Sequence, residues 1–122
     1  MNKKEELDLA ALAQSDILEA AAEGDWPSLF GLLELWLSEH DKPREEIRAA
    51  LQEGAVELLK KGWIELWLFE NQEKSGSALG VVEAVKAVKD PENWKEHAPA
   101  DTHFRIGPTA EGSGQYTDRG AL

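Results

Sequence analysis

Three histidines, many carboxylates and two glycine-rich stretches are the residues of this chain that could do chemistry. A helical metal site needs ligands at i and i+4, so that both side chains leave one face; a hairpin site needs a facing pair. His40, His97 and His103 offer neither spacing. The chain has no cysteine, so thiolate zinc ligands, disulfides and a cysteine nucleophile are all excluded. The histidines are therefore read as loop residues: His40 in the turn before the third helix, His97 and His103 flanking the last loop. Paired carboxylates do acid–base work only where burial raises a pKa, and among so many none stands out. No G-x-S-x-G elbow occurs. "SGSALG" (residues 75–80) precedes a helix whose N-terminus could hold an anion, but it lacks the lysine and spacing of a phosphate loop. "EGSGQ" (residues 111–115) lacks a third glycine and a following helix. Both are read as hinges or turns. No catalytic, metal or cofactor set is expected, and the chain reads as non-enzymatic.

The elements that would carry these residues are mostly helical. Residues 4–23 are rich in alanine, leucine and glutamate at helical spacing, as one helix or as two with Ser15 capping the second. In "GDWPSLFGLLELWLSEHD", Asp25 or Trp26 caps and Pro27 occupies the first turn, where its missing N–H costs nothing. That helix is apolar nearly all round, which requires burial on several sides. "DKPREEIRAALQEGAVELLKKG" is the clearest helix. Asp41 or Lys42 caps it, Pro43 opens it, Gly62 ends it, and Ile47, Leu51, Ala55, Leu58 and Leu59 form its core stripe. Gly54 either weakens this helix or admits a close neighbour. "WIELWLFE" reads as a strand and "NQEKSGSALG" as a polar loop. A helix follows over about residues 77–90, then a turn at "PENW", a loop at "EHAPAD" and a strand at "THFRI". Residues 108–122 are expected to be an irregular tail.

The 122 residues suit one domain spanning residues 1–122, with an apolar fraction of 42% and a charged fraction of 30%. No apolar run reaches the roughly 20 residues that span a bilayer, and Glu5, Glu6 and Asp8 interrupt any signal-like start. A cytoplasmic location away from membranes is expected. Thirteen basic residues face 24 acidic ones, a net charge of −11 that repels duplex DNA and anionic lipid at long range.

Three helices followed by a strand entering at "GW" resemble the winged-helix pattern. "AALQEGAVELLKKGWIELW" is similar to the third helix and second strand of that fold. "FRIGPTAEGSGQY" is similar to its last wing strand, which often carries T-x-x-G-x-x-x-Y, here Thr109, Gly112 and Tyr116. The chain also resembles a group of small uncharacterised bacterial proteins with an early D-W-x-S-L (Asp25, Trp26, Pro27, Ser28, Leu29) and a helical insertion in the wing. The likeness covers roughly residues 15–118. It implies an α+β, mostly α fold: a winged-helix-like three-helix core, a small antiparallel sheet and an extra helix in the wing. It also implies a third helix able to read DNA, for which Arg44 and Arg48 are the candidate contacts. Along that helix, however, Arg44, Arg48, Lys60 and Lys61 are cancelled by Glu45, Glu46, Glu53 and Glu57, and no basic stripe emerges.

Apolar residues are in surplus. Trp63, Trp67 and Phe69 would line the outer face of the strand, and the inserted helix, with Val81, Val82, Val85 and Val88, is expected to cover them together with Trp94. Phe30 and Trp36 on the second helix are left as candidate interface residues, because exposed aromatic patches mark binding surfaces. The expected function is a non-enzymatic protein-binding module. Its partner would be a basic protein, as an immunity protein or antitoxin has when it caps a nuclease, or a second copy of the chain. A winged-helix DNA-binding regulator is the alternative.

Overall fold

The computed structural model describes residues 2–69, 76–95 and 103–120, without the side chains of residues 2–8, 103 and 116–120. Helix α1 (Asn2–Ala22) is one continuous helix. It ends at Gly24, which takes a left-handed φ of 79°. The Gly24 and Asp25 amides donate back to the Ala21 and Ala20 carbonyls, satisfying the last turn. Helix α2 (Leu29–Glu39) is capped by Ser28, whose hydroxyl accepts from the Gly31 amide at 3.0 Å. Asp25, Trp26 and Pro27 thus all lie before the helix, and neither of the two expected caps is used. The reason is Trp26, whose φ of 49° turns the chain sharply. That left-handed conformation is costly for a bulky residue unless its surroundings hold it.

Helix α3 (Arg44–Lys61) begins after Pro43, which takes the cap position without a side-chain bond, and ends at Gly62 with φ 76°. The expected core stripe is buried throughout. Gly54 serves close approach: a Cβ there would lie 2.9 Å from the Ala13 Cβ and 3.0 Å from the Gln14 amide nitrogen of α1.

Strand β1 (Ile64–Phe69) pairs antiparallel with β2 (Ser77–Ala78) on one side and with β3 (His103–Pro108) on the other. Residue 28 adds an isolated bridge to Arg105, and the Ile106 amide donates to the Pro27 carbonyl at 2.9 Å. Ser77 therefore belongs to a strand, and the inserted helix α4 (Val81–Lys89) starts later than expected, capped by Gly80. A 3-10 turn (Pro91–Trp94) follows, with the Asp90 carboxylate accepting from the Glu92 amide. The expected loop at "EHAPAD" lies outside the described residues.

The tail differs most from expectation. Residues Ala110–Gly120 form helix α5. Its start is fixed by Thr109, whose hydroxyl donates to the Gly62 carbonyl at 2.8 Å and accepts from the Gly112 amide at 2.9 Å. Glycines are poor helix formers, but Gly112 lies directly on the Trp63 backbone, where no side chain would fit. Packing here overrides propensity.

The architecture is α+β and mostly helical, with a three-helix core and a small antiparallel sheet. Ile17, Leu18, Leu29, Leu33, Trp36, Leu51, Leu58, Leu66 and Ile106 are among its fully buried side chains. Among the described residues, no helix is long and apolar enough to cross a membrane.

Candidate functional site

Trp36 is 1% exposed and sits in the core, so it cannot be offered to a partner. Its indole Nε1 donates to Asp16 of α1 at 3.1 Å, and its ring lies 4.5 Å from that of His40. The sequence pattern misled because α2 packs on α3, the 3-10 turn and β3, and its Trp36 reaches Asp16 of α1. Phe30 is half-buried, one turn before Glu34 on the α3-facing flank. It is not part of an open aromatic patch with Trp36.

Arg44 is exposed and its guanidinium donates to Glu34 of α2 at 3.1 Å. Arg48 is half-buried, and its Nε has no hydrogen-bond partner among the described residues. Both arginines follow the α2 side of α3. The outward side of α3 instead carries the exposed Glu45, Glu53 and Glu57. Gln52, beside them, donates to the Val88 and Lys89 carbonyls of α4 at 3.0 and 3.2 Å. An open groove of 240 Å³ lies at this junction, lined by Gln52, Glu53, Val56, Glu57 and Lys89. Its mixed charges select no particular ligand.

The outer face of the sheet is closed differently from expectation. Helix α4 packs on α3, with Ala84 and Val88 buried, while Val81 and Val82 remain 50% and 82% exposed. Trp94 is buried beneath it, donating to the Val88 carbonyl at 2.8 Å. What meets Trp67 is Trp26, edge-on at 5.4 Å between ring centres. The Trp26 ring fills the space above Gly107, where a Cβ would come within 2.6 Å of it. Arg105 holds the strained residue by donating to the Trp26 carbonyl at 2.8 Å. Trp63 lies under the Lys61 ammonium, 4.7 Å from the ring centre. Trp63, Trp67 and Phe69 are all half-buried. A strained turn and a distant glycine cover this face, and neither leaves a local signal in the sequence.

Charge is segregated along the sequence. Residues 5–41 contain ten acidic residues and no lysine or arginine. These residues build α1 after its first turn, α2 and the connection between them. Where the two helices meet, Asp16 is contributed by α1 and Glu39 by α2. Leu12, one turn before Asp16, is 41% exposed, and Leu35, one turn before Glu39, is 54% exposed. Burial raises the Asp16 pKa above the usual aspartate range. The Trp36 hydrogen bond works against this, the Glu39 charge raises it further, and His40 lowers it.

This shift has a definite sign. A carboxylate whose folded pKa lies above its unfolded one contributes stability below the unfolded value, and loses it as pH rises through the folded one. At neutral pH the Asp16 charge is thus mildly unfavourable. Asp16→Asn, which keeps an acceptor for the Trp36 indole, is expected to be slightly more stable than wild type at pH 7, the gain being held small by solvent screening of a partly exposed group. The difference should vanish in acid. Urea unfolding at pH 7 and pH 3 measures it, and a less stable variant at pH 7 would contradict the sign.

Comparisons with family models, curated proteins and solved structures find no match for this chain.

Proposed function

We propose that this domain is a non-enzymatic protein-binding module whose partner is basic, the kind of pairing an immunity protein or antitoxin makes with a nuclease. The single observation that carries the reading is the charge pattern: residues 5–41 hold ten acidic residues and no lysine or arginine, seven of the acids on α1 and α2 and three in the segments that follow these helices. Such a surface accelerates encounter with a cationic partner and rejects polyanions. Capture on the immobilised protein from a nuclease-treated extract of its own cells should recover a basic protein. Failure to retain any basic protein, from that extract or from a panel of purified ones, would end the proposal.

We also propose that the fold is winged-helix-like. Three helices precede β1, the strands lie in the order β3, β1, β2, and the isolated bridge at Ser28, just before α2, flanks β3. In that reading β2, α4 and the 3-10 turn are an insertion in the wing. This order is also what favours the second function, a DNA-binding regulator, in which α3 would enter the major groove. Against it stand the Arg44–Glu34 pair and the glutamates on the outward side of α3. Titration of fluorescent duplex DNA at about 50 mM salt, where phosphate contacts are strongest, should show no binding. Binding that weakens steeply with added salt would favour the regulator instead.

A further inference from the structure

We propose that the face shared by α1 and α2 is the docking surface for the basic partner, with a lysine or arginine of that partner seated between Asp16 and Glu39 and flanked by Leu12 and Leu35. The inference rests on the protein-binding reading above and gives it a location. Two independent features coincide here. One is apolar: Leu12 and Leu35 are two of the four large hydrophobic side chains exposed among the described residues, and each stands one turn from an acid of the pair. The other is electrostatic: Asp16 is held at the junction by the 3.1 Å bond from the Trp36 indole, the charge of Glu39 pushes on its carboxylate, and His40 works the other way, with no lysine or arginine on either helix from residue 5 onward.

A long cationic side chain matches both features. Its methylene stem covers apolar surface while its head keeps its charge, and between two carboxylates that head removes their mutual repulsion. Trp36 contributes from below by holding Asp16 in place through its indole N–H. The acids on α3 lack this combination. Lys89 lines one groove with Glu53 and Glu57, and Lys42 lies 4.0 Å from Glu46. A polyanion is repelled by the same face, and a second copy of the chain would bring like charge to like.

The probe is a nine-residue arginine peptide titrated into the 15N-labelled full chain at low salt, with a nine-residue glutamate peptide as control. Amide shifts should cluster at Leu12, Asp16, Glu19, Leu35 and Glu39. The Asp16→Asn/Glu39→Gln double variant should bind at least fivefold more weakly, while Glu53→Gln/Glu57→Gln binds as wild type does. Leu35→Ala, a milder surface change, should also weaken binding about twofold. If the shifts instead centre on α3, or the α3 variant is the one that loses affinity, the location is wrong although the basic-partner reading stands. If no arginine peptide binds even at low salt, both fall.

Discussion

Replacing Trp36 with alanine is expected to destabilise the domain by about 3–5 kcal/mol, the usual cost of truncating a fully buried aromatic. The indole is 1% exposed, at the junction of α1, α2 and the core, and its N–H is bonded to Asp16. Truncation leaves a cavity and strips Asp16 of its only hydrogen bond that lowers its pKa. Trp36→Phe retains most of the apolar volume and loses the N–H, so about 1–2 kcal/mol should go. Denaturant titrations of the three proteins measure this order. An interface residue would behave in the opposite way, leaving stability intact and weakening only association. A stable Trp36→Ala protein would restore Trp36 as a surface anchor and remove the core described above.

The second large effect separates two glycines of one helix. Gly112 lies against the Trp63 carbonyl, with the Trp63 carbonyl carbon and Cα at 2.6 and 2.9 Å from where a Cβ would stand. The obstacle is backbone, which cannot swing aside as a side chain can. Gly112→Ala should therefore lift α5 from the start of β1 and strain the Thr109–Gly62 bond, at a cost of about 2–3 kcal/mol. Gly114, two residues on, has nothing within 4 Å of its virtual Cβ. Gly114→Ala should stabilise by about 0.5–1 kcal/mol, through helix propensity and a less free unfolded chain. Opposite signs from the same substitution in one helix, read from unfolding midpoints, test the packing of α5. Equal effects would mean that α5 does not rest on Trp63.

What could be read in advance was what local chemistry determines. Pro43 and Gly62 bracket α3, the apolar spacing from Ile47 to Leu59 marks its buried face, and the run after Gly62 is a strand. What could not be read depends on partners distant in sequence. The cap of α2 shifts to Ser28 because Trp26 is turned left-handed, and that turn is held by Arg105 and Gly107, about eighty residues away. The glycine-rich tail looks irregular until Trp63 is placed beneath Gly112. The valines of α4 suggested a lid for the tryptophans, yet Ala84 and Val88 face α3 and leave Val81 and Val82 outside. Of the candidate site, the acidic excess was visible at once. That Asp16 of α1 and Glu39 of α2 come together could not be read, because it depends on the Trp36–Asp16 bond between residues twenty apart.

The proposed docking site gives the unfavourable Asp16 carboxylate a role. A residue that lowers stability in the free domain and raises affinity in the complex has the behaviour of a binding residue, where stability and function trade against each other. Asp16→Asn should accordingly fold slightly better and bind slightly worse.

The most direct measurement is capture from a nuclease-treated extract by two immobilised proteins, wild type and Asp16→Lys/Glu39→Lys, each shown by circular dichroism to be folded. The wild type should retain a basic protein in stoichiometric amount and the charge-reversed variant should lose it. Equal retention by both proteins, or retention by the wild type only when nucleic acid is left intact, would contradict binding of a basic partner on the α1–α2 face.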